Sequence, residues 1–97
     1  MALVVNAVWT VKPGSLDIVL EALSELAKAS RAEPGCLYYM PYRDIATADV
    51  IRIFEVYADE DAYRAHGQSP HFRTIALARA VPQLEKRERA IFETIDV

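Results

Sequence analysis

The chain has 97 residues, carries a net charge of −3 at pH 7 and is 53% hydrophobic. This length suits one domain, and the acidic balance argues against a nucleic-acid partner. A single cysteine, Cys36, excludes an internal disulfide and any multi-cysteine metal site. Because average domains are roughly 45–50% apolar, the excess predicts apolar surface that self-association covers.

The N-terminal stretch lacks a basic segment, and Asn6 interrupts its apolar run, so no signal peptide is predicted. No apolar run approaches the roughly 20 residues that cross a bilayer. Together with the single cysteine, these features predict a cytoplasmic protein with no membrane partner.

The first half of the chain reads as a strand, a helix and a second strand. Residues 3–12, LVVNAVWTVK, are rich in valine and aromatic residues and stop at Pro13-Gly14. Ser15 is predicted to cap a helix that runs to about Ala32 and ends at Glu33-Pro34-Gly35. Its apolar residues recur on one helical face: Leu16, Val19, Leu20, Leu23, Leu26 and Ala27.

Two strands joined by a polar loop follow this helix. The second strand is predicted at Cys36–Arg43, where Pro41 favours a position at the sheet edge. The loop Asp44–Asp49 leads to a third strand at Val50–Tyr57.

The next helical region has a break in its middle. Asp59 is predicted to cap a short helix through about His66, and Ser69-Pro70 to restart a helix that runs to about Val81. Pro82 is predicted to end it.

A charged cluster separates this region from the last predicted strand. We interpret Glu85-Lys86-Arg87-Glu88-Arg89 as a solvated connection, and Glu88–Val97 as the fourth strand.

The element order β-α-β-β-α-β predicts a single α+β domain, residues 1–97, with a ferredoxin-like fold. Four antiparallel strands would form one sheet with both helices on one face. Both faces of the first strand are largely apolar, and helices cover only one. We therefore expect a homodimer in which two sheets close into a barrel.

Four segments of the chain form a recognisable set: VKPG at Val11–Gly14, AEPGCLYY at Ala32–Tyr39, FEVYADEDAYRAH at Phe54–His66 and SPHF at Ser69–Phe72. Taken together, in this order and spacing, they resemble the antibiotic-biosynthesis monooxygenase (ABM) family of dimeric α/β barrels. The resemblance implies a pocket between sheet and helices. It also implies oxidation by O2, without a cofactor, of a phenolic, quinol or anthrone-type substrate.

Other branches of the same family have different activities. Haem-degrading relatives are expected to carry Asn, Trp and His where this sequence has Ala7, His66 and Ala76. Asn6 is offset by one residue and so points to the opposite face of its strand, which argues against haem degradation.

An isomerase branch, acting on a phosphorylated carbonyl compound, remains an alternative, as does a non-catalytic ligand-binding barrel. The sequence is similar to that branch at Arg43-Asp44, Glu55, Asp59-Glu60, His66 and Pro70-His71. In that interpretation Arg43 contacts the phosphate.

The two histidines, His66 and His71, are the main candidates for catalysis. His66 ends one helix, where the dipole favours imidazolium, and His71 begins the next, where it favours the neutral form. The pair would supply a proton donor and a proton acceptor near pH 7. Alternatively, His66 caps its helix while His71 and Phe72 pack the break.

Several aromatic and polar residues are candidate substrate contacts. The pocket walls are predicted from aromatic residues that can equally belong to the core: Trp9, Tyr39, Tyr57, Tyr63 and Phe72. Asn6 can bind a substrate oxygen or pair across the dimer, and Glu55 can bind substrate or form an ion pair.

Metal and cofactor sites find little support. His66, His71 and Glu55 could supply two imidazoles and a carboxylate for iron, but their i, i+5 histidine spacing across a break does not align them. No glycine-rich nucleotide loop is present. The sequence thus predicts no metal and no cofactor.

Overall fold

The computed structural model describes residues 1–96, so Val97, the last residue of the predicted fourth strand, lies outside the described residues. The elements are β1 (Leu3–Val11), α1 (Leu16–Arg31), β2 (Cys36–Arg43), β3 (Val50–Tyr57), α2 (Glu60–Gln68), a π-helix (Phe72–Ala80), a 3₁₀ turn (Val81–Gln83) and β4 (Leu84–Glu93). None of the helices in residues 1–96 combines the length and apolar character needed to cross a membrane.

The four strands form one antiparallel sheet in the order β2-β3-β1-β4, with helices on one face. This confirms the predicted ferredoxin-like α+β fold. β2 lies at an edge, as Pro41 indicated, because proline has no N–H for a further strand.

The core lies between the sheet and α1. Alternate residues of β1 point to the helices and are buried: Val5, Ala7, Trp9 and Val11. Leu23 and Leu26 of α1 pack against them, and burial of each contributes roughly 1.5–3 kcal/mol. Ala76 and Ala80 are fully buried, and their small side chains let the π-helix approach α1 closely.

Helix α1 begins where expected but is not capped as expected. The Ser15 hydroxyl donates to Gln83 Oε1 at 2.9 Å, and no cap bond forms to the first turn. The predicted cap is therefore wrong. The serine instead ties the start of α1 to the 3₁₀ turn.

The break after α2 has the predicted start and stop signals. Asp59 Oδ1 accepts a hydrogen bond from the Ala62 N–H at 2.8 Å and caps α2. Ser69 Oγ accepts from the Phe72 N–H and donates to the His66 carbonyl at 2.7 Å. One side chain thus bridges the two helical segments and fixes the angle between them.

The fourth strand differs from its prediction. It begins at Leu84 rather than Glu88, so the cluster from Glu85 to Arg89 is a strand paired with β1 and not a connection. Pro82 also does not end the helical region, which continues as a 3₁₀ turn. Charged residues suit β4 because it is an edge strand, where they discourage further pairing.

The sheet face away from the helices, here called the outer sheet face, is apolar and open in the single chain. Tyr38 and Phe92 are about half exposed there, at 48% and 51%. Tyr38 stacks edge-on against Phe54, with ring centres 5.7 Å apart. Such a face needs a cover, and the homodimer stays a prediction.

Candidate functional site

A cavity of about 530 Å³ opens between the helix-covered sheet face and the end of α2. Its floor is apolar, and its mouth carries three arginines and one glutamate, namely Arg64, Arg87, Arg89 and Glu88. It is lined by Val5, Ala7, Trp9, Tyr39, Ile53, Glu55, Tyr63, Arg64, His66, Gly67, Gln68, Phe72, Arg87, Glu88 and Arg89. The volume falls within the range of about 300–1,000 Å³ typical of small-molecule sites.

His66 is the central polar group of this cavity. It is only 3% exposed, and rings of Tyr57 and Phe72 lie 5.2 Å from its own. Its Nδ1 donates to Glu33 Oε2 at 2.8 Å, because a carboxylate oxygen can only accept. The neutral ring then keeps a lone pair on Nε2, which lies 3.9 Å from Glu55 Oε1.

Glu33 is the site residue that the sequence analysis missed. It follows α1, and the Arg31 guanidinium, which donates to the Tyr39 carbonyl at 2.8 and 3.0 Å, holds this end of α1 against β2. Glu33 Oε2 also accepts from His71 Nε2 at 2.5 Å. No local spacing reveals this contact, since 33 positions separate Glu33 from His66 along the chain.

Close packing of α2 on the turn brings these groups together. A Cβ on Gly35 would lie closer to the Ala62 Cβ than any ordinary contact allows. Only glycine therefore lets the turn that carries Glu33 approach the helix that carries His66.

Burial lowers the pKa of His66, although the hydrogen bond and charge of Glu33 act in the opposite direction. This corrects the expectation that the end of α2 favours imidazolium. Loss of water around the ring outweighs the effect of Glu33, so His66 is neutral at pH 7 and can act as a base.

Glu55 is the second titratable group in the cavity wall. Burial raises its pKa to about 7, and the charge of Glu33 adds to this rise. The hydrogen bond from Tyr57 and the charge of Arg89 oppose it. The Tyr57 hydroxyl donates to Glu55 Oε1 at 2.6 Å. Glu55 can therefore carry a proton near neutral pH, beside a neutral imidazole.

The structure brings most of the predicted site residues into this cavity. Those that line it are Trp9, Tyr39, Glu55, Tyr63, His66 and Phe72. Tyr57 is buried beneath Glu55, and His71 lies behind Glu33, so each reaches the cavity only through a neighbour.

Asn6 and Arg43 lie elsewhere. Asn6 is exposed on the outer sheet face, since successive side chains of a strand alternate between faces. Arg43 is exposed at the end of β2 and is not among the lining residues. Neither residue lines the cavity of the single chain, and the substrate contact of Asn6 and the phosphate contact of Arg43 stay predictions.

Among residues 1–96, Glu33, His66 and His71 form a group that could hold a metal ion. One ligand atom from each lies within 4.8 Å of the others. The sequence suggested Glu55 as the carboxylate that accompanies the two histidines. In the structure that carboxylate is Glu33. A metal there would occupy Nδ1 of His66 and leave Nε2 as a donor toward Glu55.

The family of the chain follows from a match to the profile of antibiotic biosynthesis monooxygenases (ABM), which covers residues 1–77. The chain belongs to this family. The match includes α2, His66, His71 and Glu33, and it ends within the π-helix.

Solved structures agree in fold along nearly the whole chain. A conserved protein from Methanosarcina mazei superposes with a TM-score of 0.92 at 25% identity, over 98% of this chain and 94% of that one. An antibiotic biosynthesis monooxygenase structure gives 0.90 at 25% identity, over 97% and 99%. A Caulobacter crescentus protein, provisionally assigned to the same class, gives 0.89 at 26%, over 98% and 91%.

One curated relative is an uncharacterised protein of Synechocystis. It is 32% identical over 62 residues, or 64% of this chain. The chain spans 42% of the length of that relative.

Proposed function

We propose that this ABM-family chain oxidises a small phenolic, quinol or anthrone-type substrate with O2 and without a cofactor. The observation that supports this proposal is the arrangement of His66, whose Nδ1–H is held by Glu33 while Nε2 is free at the cavity wall. The aromatic lining suits a flat ring, and similar structures bear the monooxygenase name.

In this mechanism His66 acts as the base. Its Nε2 removes a proton from the substrate hydroxyl or activated C–H, and the resulting electron-rich anion gives electrons to O2. For an anthrone-type substrate, one ring methylene and one molecule of O2 give one ring carbonyl and one molecule of water, so the atoms and electrons balance. His66 returns its proton to the oxygen that leaves as water, and Glu55 donates a hydrogen bond to the substrate oxygen.

The test is oxygen consumption with a panel of quinols and anthrones. We expect His66→Ala to lower kcat by about 10²–10⁴-fold, because proton transfer by a positioned base contributes that much. Arg43→Ala, which changes an exposed residue that does not line the cavity, should retain wild-type turnover. Treatment with EDTA should leave the rate unchanged; a loss would instead indicate a metal held by Glu33, His66 and His71.

The proposal would be overturned if added protein did not change the rate of oxygen consumption with any compound of the panel. Full turnover by His66→Ala would also overturn it. Saturable binding of the same compounds without turnover would favour the ligand-binding barrel.

Isomerisation of a phosphorylated carbonyl compound is the second candidate. It is favoured by one observation: His66 Nε2 and the Glu55 carboxyl lie 3.9 Å apart, with Glu55 having a pKa of about 7. A base and an acid so placed can move a proton between the two carbons of an enolisable carbonyl. Anaerobic incorporation of deuterium from heavy water into a phosphorylated hydroxyketone, followed by NMR, separates this activity from oxidation.

A further inference from the structure

The cavity mouth carries two arginines, Arg87 and Arg89, that have no role in the proposed chemistry. β4 pairs with β1 so that Arg87 lies opposite Trp9 and Arg89 opposite Ala7. Paired residues share a sheet face, and Trp9 and Ala7 form the cavity floor. Arg87 and Arg89 therefore stand beside each other at the edge of that floor, and both line the cavity.

These two guanidinium groups differ from the third arginine of the mouth. Arg64 is paired with Asp61 Oδ1 at 2.6 Å. Within residues 1–96, neither Arg87 nor Arg89 has a carboxylate within salt-bridge distance. Glu88, which also lines the cavity, is paired with Lys86 Nζ at 2.8 Å. The charges of Arg87 and Arg89 are thus left for a ligand.

Arg89 is also held in place. It donates a hydrogen bond to the Tyr63 hydroxyl, and its Cζ lies 5.6 Å from the centre of the Tyr63 ring. A guanidinium that is already positioned loses less conformational freedom when it binds an anion.

The charges of Arg87 and Arg89 affect the pKa values of residues that line the cavity. Burial raises the pKa of Tyr63, and both Arg89 and Arg87 oppose that rise. Arg89 likewise opposes the rise in the pKa of Glu55. A negative group at the mouth would meet a favourable potential there, while the floor of the cavity is apolar.

We infer that Arg87 and Arg89 bind an acidic group of the substrate, a carboxylate or a phosphate, while its ring fills the cavity and its reacting group reaches His66. The two side chains lie on alternate residues of one strand, about 7 Å apart at their Cα atoms, so they can flank one anion. This inference rests on the proposed function for the orientation of the substrate, and it narrows the substrate to acidic aromatic compounds.

Binding can be measured without turnover, because Trp9 is the only tryptophan of the chain and lines the cavity. Its fluorescence would be titrated with 4-hydroxybenzoate, 4-hydroxyphenyl phosphate and the neutral 4-hydroxybenzamide. We expect the preferred acid to bind about tenfold or more tightly than the amide, since hydrogen bonds between charged groups are the strong ones. The ranking of the two acids tells carboxylate from phosphate.

Variants identify the residues responsible. Arg87→Gln and Arg89→Gln should each weaken acid binding about tenfold and leave amide binding unchanged. Arg43→Gln is the matched control and should bind like the wild type. Circular dichroism establishes that each variant is folded.

Three outcomes would each overturn the inference. They are equal affinity for the acids and the amide, no fluorescence change with either acid, and acid binding that is retained in both arginine variants. Its failure is distinguishable from that of the proposed function. Acid binding that depends on Arg87 and Arg89, without oxygen consumption, leaves the subsite standing; oxygen consumption by both variants at wild-type KM removes the subsite alone.

Discussion

Glu33 decides which nitrogen of His66 can act as a base. One carboxylate oxygen accepts from Nδ1 of His66 and from Nε2 of His71, so both rings are held by the same atom. If His66 took the other tautomer, Nδ1 would face Glu33 without a proton, and two lone pairs would repel each other. Glu33 thus acts through His66, as a positioning residue.

Replacing Glu33 tests this arrangement. In Glu33→Gln the amide can present either oxygen or N–H, so the tautomer of His66 is no longer fixed. We expect kcat to fall about 10²-fold or more, by analogy with the loss of the orienting carboxylate in hydrolase triads. The pKa of His66 should also fall, because Glu33 raises it against the effect of burial.

Nitrogen-15 NMR of His66 measures both effects without a substrate. The wild type should show a protonated Nδ1 and an unprotonated Nε2, and the variant a mixture. Glu25→Gln, which removes only the exposed ion pair with Arg79, is the control. An unchanged tautomer in Glu33→Gln would contradict the positioning role.

Glu55 should make stability depend on pH. Its pKa is about 7 when folded and near 4.5 when unfolded, so between these values the folded chain binds the proton more tightly. The contribution of Glu55 to the free energy of unfolding is therefore greatest below about pH 4.5 and declines as pH rises through about 7.

In Glu55→Gln this decline should be absent, and relative to the wild type the variant should gain up to roughly 3 kcal/mol between about pH 4.5 and 8. The groups that face Glu55 are the Tyr57 hydroxyl, His66, Glu33 and Arg89, and all remain in the variant. The lowered pKa of His66 acts in the opposite sense below about pH 6.5, but it is common to both proteins. Thermal unfolding at several pH values gives the difference, and parallel pH curves would contradict the prediction.

At the scale of elements, the sequence predicted those whose limits are set by local chemistry. β2 and β3 have the expected bounds, because turn residues and alternating apolar residues define them. The break at Ser69-Pro70 was found for the same reason. β4 was displaced by four residues, since charged residues from Glu85 to Arg89 are strand only through pairing with β1.

The candidate site was predictable in part for a related reason. His66, Trp9, Tyr39 and Glu55 stand out by residue type or by an apolar context, and the structure places all four in one cavity wall. Glu33 does not stand out, because a glutamate before Pro-Gly reads as an exposed turn residue. Its role depends on a contact between α2 and the turn that no periodicity encodes.

Gly35 tests the contact between that turn and α2. In Gly35→Ala the new methyl group would overlap Ala62, so the helix must shift, and we expect a loss of about 1–3 kcal/mol in the free energy of unfolding. Urea unfolding measures it. The shift should also lengthen the bond from Glu33 to His66 and lower turnover.

Two further variants make this result specific. Adding Ala62→Gly restores the space, so the double variant should lose less stability than the sum of the two single changes. Gly67→Ala is the control: a Cβ there meets nothing within 4 Å, and alanine should stabilise α2 by up to about 1 kcal/mol. Additive losses in the double variant would show that Gly35 serves another purpose.

The whole molecule has two different sheet faces. One is covered by α1 and the π-helix and holds the cavity at its open side, near β4. The other, the outer sheet face, exposes Tyr38, Met40 and Phe92. A second copy of this sheet offers an apolar surface of matching shape and size, which is why we expect a symmetric dimer there.

Phe54→Arg tests the dimer, because Phe54 lies near the middle of the outer sheet face, paired with Asn6 and stacked on Tyr38. An interface of this kind should bury more than roughly 1,000 Å². An arginine in this interface would be desolvated without a partner, so we expect the dissociation constant of the dimer to rise about 100-fold or more. Light scattering at micromolar concentration should give twice the mass of one chain for the wild type and the mass of one chain for Phe54→Arg.

Leu77→Arg, on the exposed side of the π-helix, adds the same charge and should remain dimeric. A wild-type chain that is monomeric at these concentrations would contradict the dimer and leave the outer sheet face to another partner.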